Sequence, residues 1–146
     1  MNFYNKFYIL VFGFLILDSA ADELTINISG QTKEGVLSLA IYNDADAYTQ
    51  SVKGEKRSEE GVFQGIESYI ELKENHEFVI DLPEGEYAIA LFVDTNKNLK
   101  IDKNFLGIPK EQFGFSNNVM GRLSAPSFEQ AKFQVKGSAS QNIQLK

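Results

Sequence analysis

Apolar and polar residues alternate along several short segments of this chain, which is the period of β-strands with one buried face. Segments with this pattern span residues 24–28, 36–42, 76–82, 132–135 and 141–145, and residues 68–72 and the apolar run 86–93 predict two further strands. No segment has an apolar stripe at helical spacing over three turns, although residues 126–131 have the composition of one helical turn. The pattern therefore predicts an all-β fold, an antiparallel β-sandwich of about seven strands with an immunoglobulin-like outline.

The connections between these segments give more specific predictions. Gly30 and Gly35 flank a polar turn between the first two strands, which predicts a β-hairpin. Pro83 and Gly85 form a turn signal before residues 86–93, which we expect to be a central strand buried on both faces. Residues 43–65 are polar, mixed in charge and without a clear period, so they predict a long mobile loop.

Residues 1–21 have the pattern of a secretory signal peptide. Lys6 precedes an uncharged apolar run over residues 7–17, and Ser19 and Ala21 are small residues at a cleavage site. The run is shorter than the roughly 20 residues that span a bilayer, which favours a cleaved signal over a retained membrane anchor. We therefore expect an exported protein, periplasmic or extracellular, with no membrane insertion after cleavage. Residues 22–146 would form a single β-sandwich domain.

Composition and charge exclude several classes of function. The formal net charge is −6 and the lysines are scattered, which argues against nucleic acid as a partner. The chain has no cysteine and one histidine, so disulfides, thiolate metal sites and a histidine-based triad are excluded or hard to build. We expect a monomeric, non-catalytic module whose partner is a protein or glycan in the envelope or outside the cell.

Residues 94–102 carry the most specific chemistry. Oxygen-bearing side chains occur at every second position and again at the ninth, in Asp94, Asn96, Asn98 and Asp102. A curled loop can direct such oxygens to one centre, and Ca²⁺ takes about six to eight oxygen ligands, including a backbone carbonyl at the seventh position. That carbonyl belongs to Lys100. The pattern predicts a candidate Ca²⁺ site, and Ca²⁺ is the only cofactor that the sequence suggests.

Several features of this loop favour an alternative. Leu99 stands where Ca²⁺ loops have glycine, Phe105 stands where they have a bidentate carboxylate, and lysines lie at positions 97, 100 and 103. A metal site would need another carboxylate, and Glu111 is the nearest candidate downstream. In the alternative, the Asp and Asn side chains accept hydrogen bonds from nearby backbone groups and hold turns.

Residues 105–118 are rich in aromatic residues and glycine. They predict either a stacking platform for a sugar or peptide or a lid over one end of the sandwich, and we favour the lid because long loops need a small core of their own. The candidate ligand-contacting residues are Phe105, Glu111, Phe113, Phe115 and Asn117. One alternative function is a hydrolase, carbohydrate-active or other, that uses Glu111 and a second carboxylate about 5–10 Å away. Another alternative is a purely structural envelope protein.

Several runs of residues carry a resemblance to a known family. They are L-P-x-G-x-Y-A-I from residue 82, D-x-N-x-N from 94 with Asp102, F-L-G-I-P-K-E from 105, G-F-S-N-N from 114 and P-S-F-x-x-A-x-F from 126. The chain resembles the domain of unknown function 2141 (DUF2141) family of small exported bacterial proteins, for which no activity or ligand is established. The resemblance implies export and one β domain, and it leaves the function open.

The resemblance also has departures. Family members commonly have histidine at the position of Val93 and glycine at the positions of Lys97 and Leu99, which weakens any metal role carried over to this chain. The strand, Pro-Gly-Tyr turn and following strand are also similar to transthyretin-like and collagen-adhesin-B-type surface modules. Some modules of that type bind Ca²⁺ through an Asp-x-Asn-x-Asn loop, so a transthyretin-like sandwich is the other expected form of the fold.

Overall fold

The computed structural model describes residues 21–54 and 61–146. The predicted signal peptide lies outside the described residues except for Ala21. Within the described part, eight strands, two α-helices and one 3₁₀ turn follow one another along the chain. They are β1 (Asp22–Ser29), β2 (Gly35–Tyr42), α1 (Ala45–Lys53), β3 (Gln64–Ile70), β4 (Asn75–Leu82), β5 (Gly85–Asp94), β6 (Phe113–Phe115), the 3₁₀ turn (Ser116–Asn118), α2 (Phe128–Ala131), β7 (Phe133–Val135) and β8 (Ser138–Gln144).

The strands form two sheets, which confirms the prediction of an all-β sandwich. One sheet has three strands in the order β4-β1-β8. The other has five strands: β3-β2-β5-β6 in order, with β7 pairing with β5 beyond the end of β6. No helix among the described residues is long and apolar enough to cross a membrane.

The main core fills the space between the two sheets. Alternate residues of β1, led by Leu24, Ile26 and Ile28, face alternate residues of β2 and β5 across this space, and most of them are fully buried. The inward positions are those that the period-two pattern predicts, because successive side chains of a strand point to opposite faces. The other inward residues from β2 and β5 are Leu37, Leu39, Ile41, Tyr87, Ile89, Leu91 and Val93.

The predicted hairpin between β1 and β2 is wrong. β1 pairs with β4 and β8 in one sheet, whereas β2 pairs with β3 and β5 in the other. The turn between them, where Gly30 has a φ of +79°, carries the chain from one sheet to the other. Two alternating strands satisfy the same pattern whether they pair edge to edge or face each other across a core, so the pattern alone does not distinguish the two arrangements.

The sandwich is not antiparallel throughout. β1 pairs with β8 in a parallel register that runs from Glu23 opposite Ser138 to Ser29 opposite Gln144, while its other neighbour, β4, is antiparallel. β7 pairs antiparallel with β5, and the chain then turns at Gly137, which has a φ of +70°, to enter β8. The direction of β8 is set by this crossing between the sheets, which no local pattern encodes.

Helix α1 lies within residues 43–65, where the sequence predicted a mobile loop, and over Ala45–Lys53 that prediction is wrong. Asp44 caps the helix, because its carboxylate accepts a hydrogen bond from the N–H of Ala47 at 2.8 Å. The buried side chain of Tyr48 packs edge-on against Tyr42 of β2 and Phe128 of α2. The helix is only nine residues long, so its apolar face is too short to give a sustained helical period.

The two helices cover the outer face of the five-stranded sheet and form a second, smaller core. Its buried members are Ala40, Tyr42, Tyr48, Ala88, Phe115, Phe128 and Ala131. α2 confirms the single helical turn predicted near residues 126–131, and it begins with a capping box between Ser127 and Gln130. This second core explains why β5 is buried on both faces, as its hydrophobicity predicted.

Candidate functional site

Residues 94–102 form a tightly curled loop that begins at the last residue of β5. Asp94 is 1% exposed, and its carboxylate accepts hydrogen bonds from the N–H groups of Asn98 at 3.3 Å and Leu99 at 2.8 Å. The Asp102 carboxylate accepts the side-chain amides of Asn96 at 2.6 Å and Asn98 at 3.0 Å. The structure thus brings the four predicted side chains together around one turn. The N–H of Lys100 also points inward and donates to Asn98 Oδ1 at 3.2 Å.

Glu111 is the third carboxylate that meets this loop. It is 6% exposed, and its Oε1 accepts the N–H of Thr95 at 2.8 Å and the Thr95 hydroxyl at 3.2 Å. Its Oε2 accepts the N–H of Asp102 at 3.1 Å. Glu111 therefore connects the first and last parts of the loop. The sequence had marked Glu111 as the nearest extra carboxylate, and the structure places it against the loop.

Two non-glycine residues of the loop have left-handed backbone conformations. Lys97 has a φ of 60° and Leu99 a φ of 63°. Left-handed backbone costs an ordinary residue about 1 kcal/mol or more, whereas glycine adopts it freely. These are the two positions where the sequence resemblance implied glycine. The surrounding hydrogen bonds hold both residues in this conformation without glycine.

The hydrogen bonds within the loop determine which of its oxygens are available to a cation without rearrangement. All six carboxylate oxygens of Asp94, Asp102 and Glu111 accept at least one hydrogen bond from the chain. Among residues 21–54 and 61–146, no group of three or more Asp, Glu or His side chains is arranged to hold a metal ion. A cation would therefore depend on the amide oxygens of the two asparagines and on backbone carbonyls as well. The observed geometry is that of the hydrogen-bonded alternative.

The aromatic candidates are divided between a strand and a loop. Phe113 and Phe115 belong to β6 and pack edge-on against each other, with ring centroids 5.9 Å apart, so the lid interpretation is wrong for them. Phe105 lies in the loop before β6 and is 95% exposed. Asn117 connects the 3₁₀ turn to two other parts of the chain. Its backbone N–H donates to Gln141 of β8, and its side chain donates to the carbonyl of Lys132, after α2, at 2.8 Å.

A groove that no sequence pattern indicated lies on the outer face of the five-stranded sheet. It has a volume of about 1080 Å³, and its floor includes Ala90 and Phe92 of β5 with Phe113 and Phe115 of β6. Its walls come from the C-terminal end of α1 and from residues of segments 101–109 and 120–127. Two of the aromatic residues singled out in the sequence therefore line this groove, although not in the form of a lid.

Small side chains on the sheet create the space for this groove. Ala90 lies opposite Ala40 of β2 on one side and opposite Phe115 of β6 on the other. Ala40 is covered by the second core, whereas the small side chain of Ala90 leaves space that the helices do not fill. The sequence of β5 carried a signal for a covering layer, because a strand that is apolar on both faces must be covered on both, and two of its outward residues, Ala88 and Ala90, are small.

Several hydroxyl groups lie in or near the groove and are hydrogen-bonded within the fold. The Tyr42 hydroxyl donates to the Ser51 hydroxyl at 2.6 Å, which ties β2 to α1 at the edge of the groove. Ser116, directly after β6, is fully buried; it accepts the N–H of Ile89 at 2.9 Å and donates to the carbonyl of Ala131. Neither serine has an acidic or basic side chain as its hydrogen-bond partner in these contacts.

These features define a class: a small β-sandwich domain with a helical cover, a self-bonded acidic loop and an apolar groove on one sheet. The model of a bacterial family, described as uncharacterized protein conserved in bacteria (DUF2141), matches residues 26–144. The chain belongs to this family, which confirms the resemblance found in the sequence. No curated protein and no solved structure matches the chain.

Proposed function

We propose that this protein is an exported, non-catalytic binding module that holds an apolar small molecule in the groove over β5 and β6. The observation that carries the proposal is the groove itself. Its lining is mainly apolar, as in most small-molecule sites, and its volume of about 1080 Å³ lies just above their usual range of about 300–1,000 Å³. Export rests on the signal pattern of residues 1–21.

The carboxylates of the chain support a non-catalytic role. Glu111, which the hydrolase alternative requires, has both oxygens engaged by backbone and hydroxyl donors of the neighbouring loop. No Asp or Glu is among the described residues that line the groove. A glycosidase would need two carboxylates facing a common substrate site.

A neutral, environment-sensitive dye tests this proposal directly. N-phenyl-1-naphthylamine fluoresces strongly in apolar surroundings, so the wild-type protein should give a saturable increase in its emission. Ala90→Phe fills the floor of the groove, and we expect it to weaken dye binding at least about tenfold, because the new ring occupies the space that the dye needs.

Val79→Phe is the matched control. Val79 is exposed on β4 of the other sheet, so the same ring is added to a strand outside the groove. The control should bind the dye as the wild type does. Absence of saturable binding to the wild type, or equal binding by Ala90→Phe, would contradict the proposal and favour the purely structural role.

A second candidate function is Ca²⁺ binding at residues 94–102, and the position of Glu111 favours it. Glu111 contacts the loop at both Thr95 and Asp102, so it lies where it would provide an additional carboxylate if a cation displaced its present donors. The oxygens of Asp94, Asn96, Asn98 and Asp102 with the Lys100 carbonyl would complete the set after the present donors are displaced.

Thermal melting with millimolar Ca²⁺ and with excess chelator tests the second candidate. Occupancy at 100 times the dissociation constant stabilises the folded state by about 2.7 kcal/mol, which is several degrees for a domain of this size. Asp102→Asn should remove the Ca²⁺-dependent part of the melting temperature, whereas Asp81→Asn, an exposed carboxylate on β4, should keep it.

The Ca²⁺-dependent difference is the decisive quantity, because loss of Asp94 or Asp102 also removes hydrogen bonds that exist without a cation. Equal melting temperatures of the wild type in Ca²⁺ and chelator would rule out the second candidate. The loop would then have only the role of a hydrogen-bonded turn.

A further inference from the structure

The charged residues of the groove differ in sign from the protein as a whole. The chain has a formal net charge of −6, yet the described lining residues include three cations, Lys53, Lys103 and Arg122, and no carboxylate. We infer that the natural ligand of the groove is a single-chain anionic amphiphile, a long-chain carboxylate whose hydrocarbon tail lies on the sheet and whose head group meets these cations. The inference rests on the proposed function and names its ligand class.

Within the described part of the chain, none of the three cations takes part in an ion pair. Each ion pair found among the described residues uses Lys132 or Lys136, which lie outside the groove. Arg122 is exposed in the segment that forms one wall, and its planar guanidinium can bind a carboxylate through two parallel hydrogen bonds. In a protein with an excess of acids, this grouping gives the groove charge complementarity to an anionic head group.

The apolar residues of the groove explain why the ligand needs a hydrocarbon tail. Leu106, Ile108, Met120 and Leu123 line the groove and are between about half and fully exposed. Exposed apolar side chains that gather around one concave surface are typical of binding sites, because their burial by a ligand removes them from water. A small anion without a tail would contact the cations and leave this surface uncovered.

Displacement of the bound dye distinguishes the contribution of the ligand's charge to binding from the contribution of its hydrocarbon tail. Dodecanoate and 1-dodecanol have the same chain length and differ in the head group, and both are used below their aggregation concentrations. We expect dodecanoate to displace N-phenyl-1-naphthylamine at a concentration at least about tenfold lower than 1-dodecanol. The advantage of dodecanoate should shrink as salt is added, because the cations are exposed and screened.

Substitution of the three cationic residues tests whether the head group of the ligand binds beside them. Arg122→Gln should weaken dodecanoate about tenfold and leave 1-dodecanol unchanged, and Lys53→Gln with Lys103→Gln should act in the same direction. Lys73→Gln removes the same charge outside the groove, on the connection between β3 and β4, and should change neither affinity. All of these side chains lie at the surface or partly so, and the dye itself reports whether each variant still has its groove.

The outcomes distinguish this inference from the proposed function. Dye binding with equal displacement by dodecanoate and 1-dodecanol overturns the inference and keeps the proposed function, whereas absence of dye binding overturns both. Tighter binding of dodecyl phosphate than of dodecanoate would overturn the choice of a carboxylate. A wild-type dimer in sedimentation that Leu123→Asp converts to monomers would show that a second copy covers the groove, which also overturns the inference.

Discussion

Glu111 lies beneath the loop of residues 94–102 and is bonded to its backbone at both ends. In the sequence, an isolated Glu beside aromatic residues is equally compatible with a catalytic acid, a metal ligand and a structural anchor. The structure shows the contacts of the structural anchor, because three donors from Thr95 and Asp102 point at its two oxygens. The identity of these donors depends on how the loop folds back, and no spacing rule contains that information.

Removal of this carboxylate gives a prediction at the residue scale. Glu111→Ala should lower the free energy of unfolding by about 2 kcal/mol, because it leaves part-buried N–H groups of the loop without their acceptor. Urea denaturation measures the change. Glu67→Ala, at an exposed position of β3, is the control and should stay within about 0.5 kcal/mol of the wild type. A loss for Glu111→Ala no larger than for the control would show that water replaces these contacts.

The loop residues show how much of the candidate site could be predicted from local sequence. The alternation of Asp94, Asn96, Asn98 and Asp102 correctly indicated that their oxygens meet around one turn. Local hydrogen bonding from Asp and Asn to nearby backbone groups is a short-range property, so it can be inferred from spacing. The left-handed residue Leu99 could not be inferred, since glycine is the residue expected there.

Helix α1 shows, at the scale of an element, how the second core is built. Tyr48 is completely buried between Tyr42 and Phe128, and burial raises the pKa of its hydroxyl well above the usual value, with a further contribution from Tyr42. Within the described residues this hydroxyl has no hydrogen-bond partner. The aromatic contacts of Tyr48 therefore stabilise the helix, while its hydroxyl opposes burial.

A tyrosine-to-phenylalanine pair tests this arrangement. Tyr48→Phe should raise the free energy of unfolding by about 1 kcal/mol, because it removes an unpaired hydroxyl and keeps both ring contacts. Tyr42→Phe is the matched comparison and should lower it by about 1 kcal/mol, because it breaks the hydrogen bond to Ser51. Thermal or urea unfolding of the two variants should therefore give changes of opposite sign. A loss of stability in Tyr48→Phe would reveal a partner for that hydroxyl.

The connections between the two sheets determine the architecture of the whole molecule. Gln31, on the crossing from β1 to β2, donates to the carbonyl of Ile70 at the end of β3 and accepts the N–H of Lys73. Its side-chain oxygen also lies within hydrogen-bond distance of His76 Nε2 at the start of β4. One side chain thus joins two of the crossings between the sheets, the one from β1 to β2 and the one from β3 to β4.

The pH dependence of stability tests this junction. Partial burial, with Lys73 nearby, lowers the pKa of His76 below 6.5, so the folded state binds the proton more weakly than the unfolded state. The contribution of His76 is therefore fully present above about pH 6.5 and is lost as the pH falls through the folded-state pKa. Urea unfolding between about pH 7.5 and 5.5 should show a smaller decrease in stability for His76→Gln than for the wild type.

The two proteins differ only at residue 76, so the comparison isolates the histidine. Parallel pH profiles of His76→Gln and the wild type would mean that the ring is hydrated equally in the folded and unfolded states. The hydrogen bonds of Gln31 to the backbone of Ile70 and Lys73 would then hold the junction without a contribution from the ring.

The sequence by itself determined the β class, the positions of most strands, the inward faces of β1, β2 and β4, the burial of β5 on both faces, and the grouping of oxygens in the 94–102 loop. Each of these depends on residues close together in the chain, through alternation of side chains or short-range hydrogen bonds. The family membership also followed from short runs of residues, and the family match over residues 26–144 confirms it.

Only the tertiary structure decided which strands pair, that β8 runs parallel to β1, and that α1 and α2 form a third layer. The same is true of the groove, because its floor, its walls and its cations come from β5, β6, α1 and two distant loops. The same alternation of apolar and polar residues lets a strand pair within one sheet or pack across the core from it. The pairing partner of each strand is therefore decided by the packing of the whole chain.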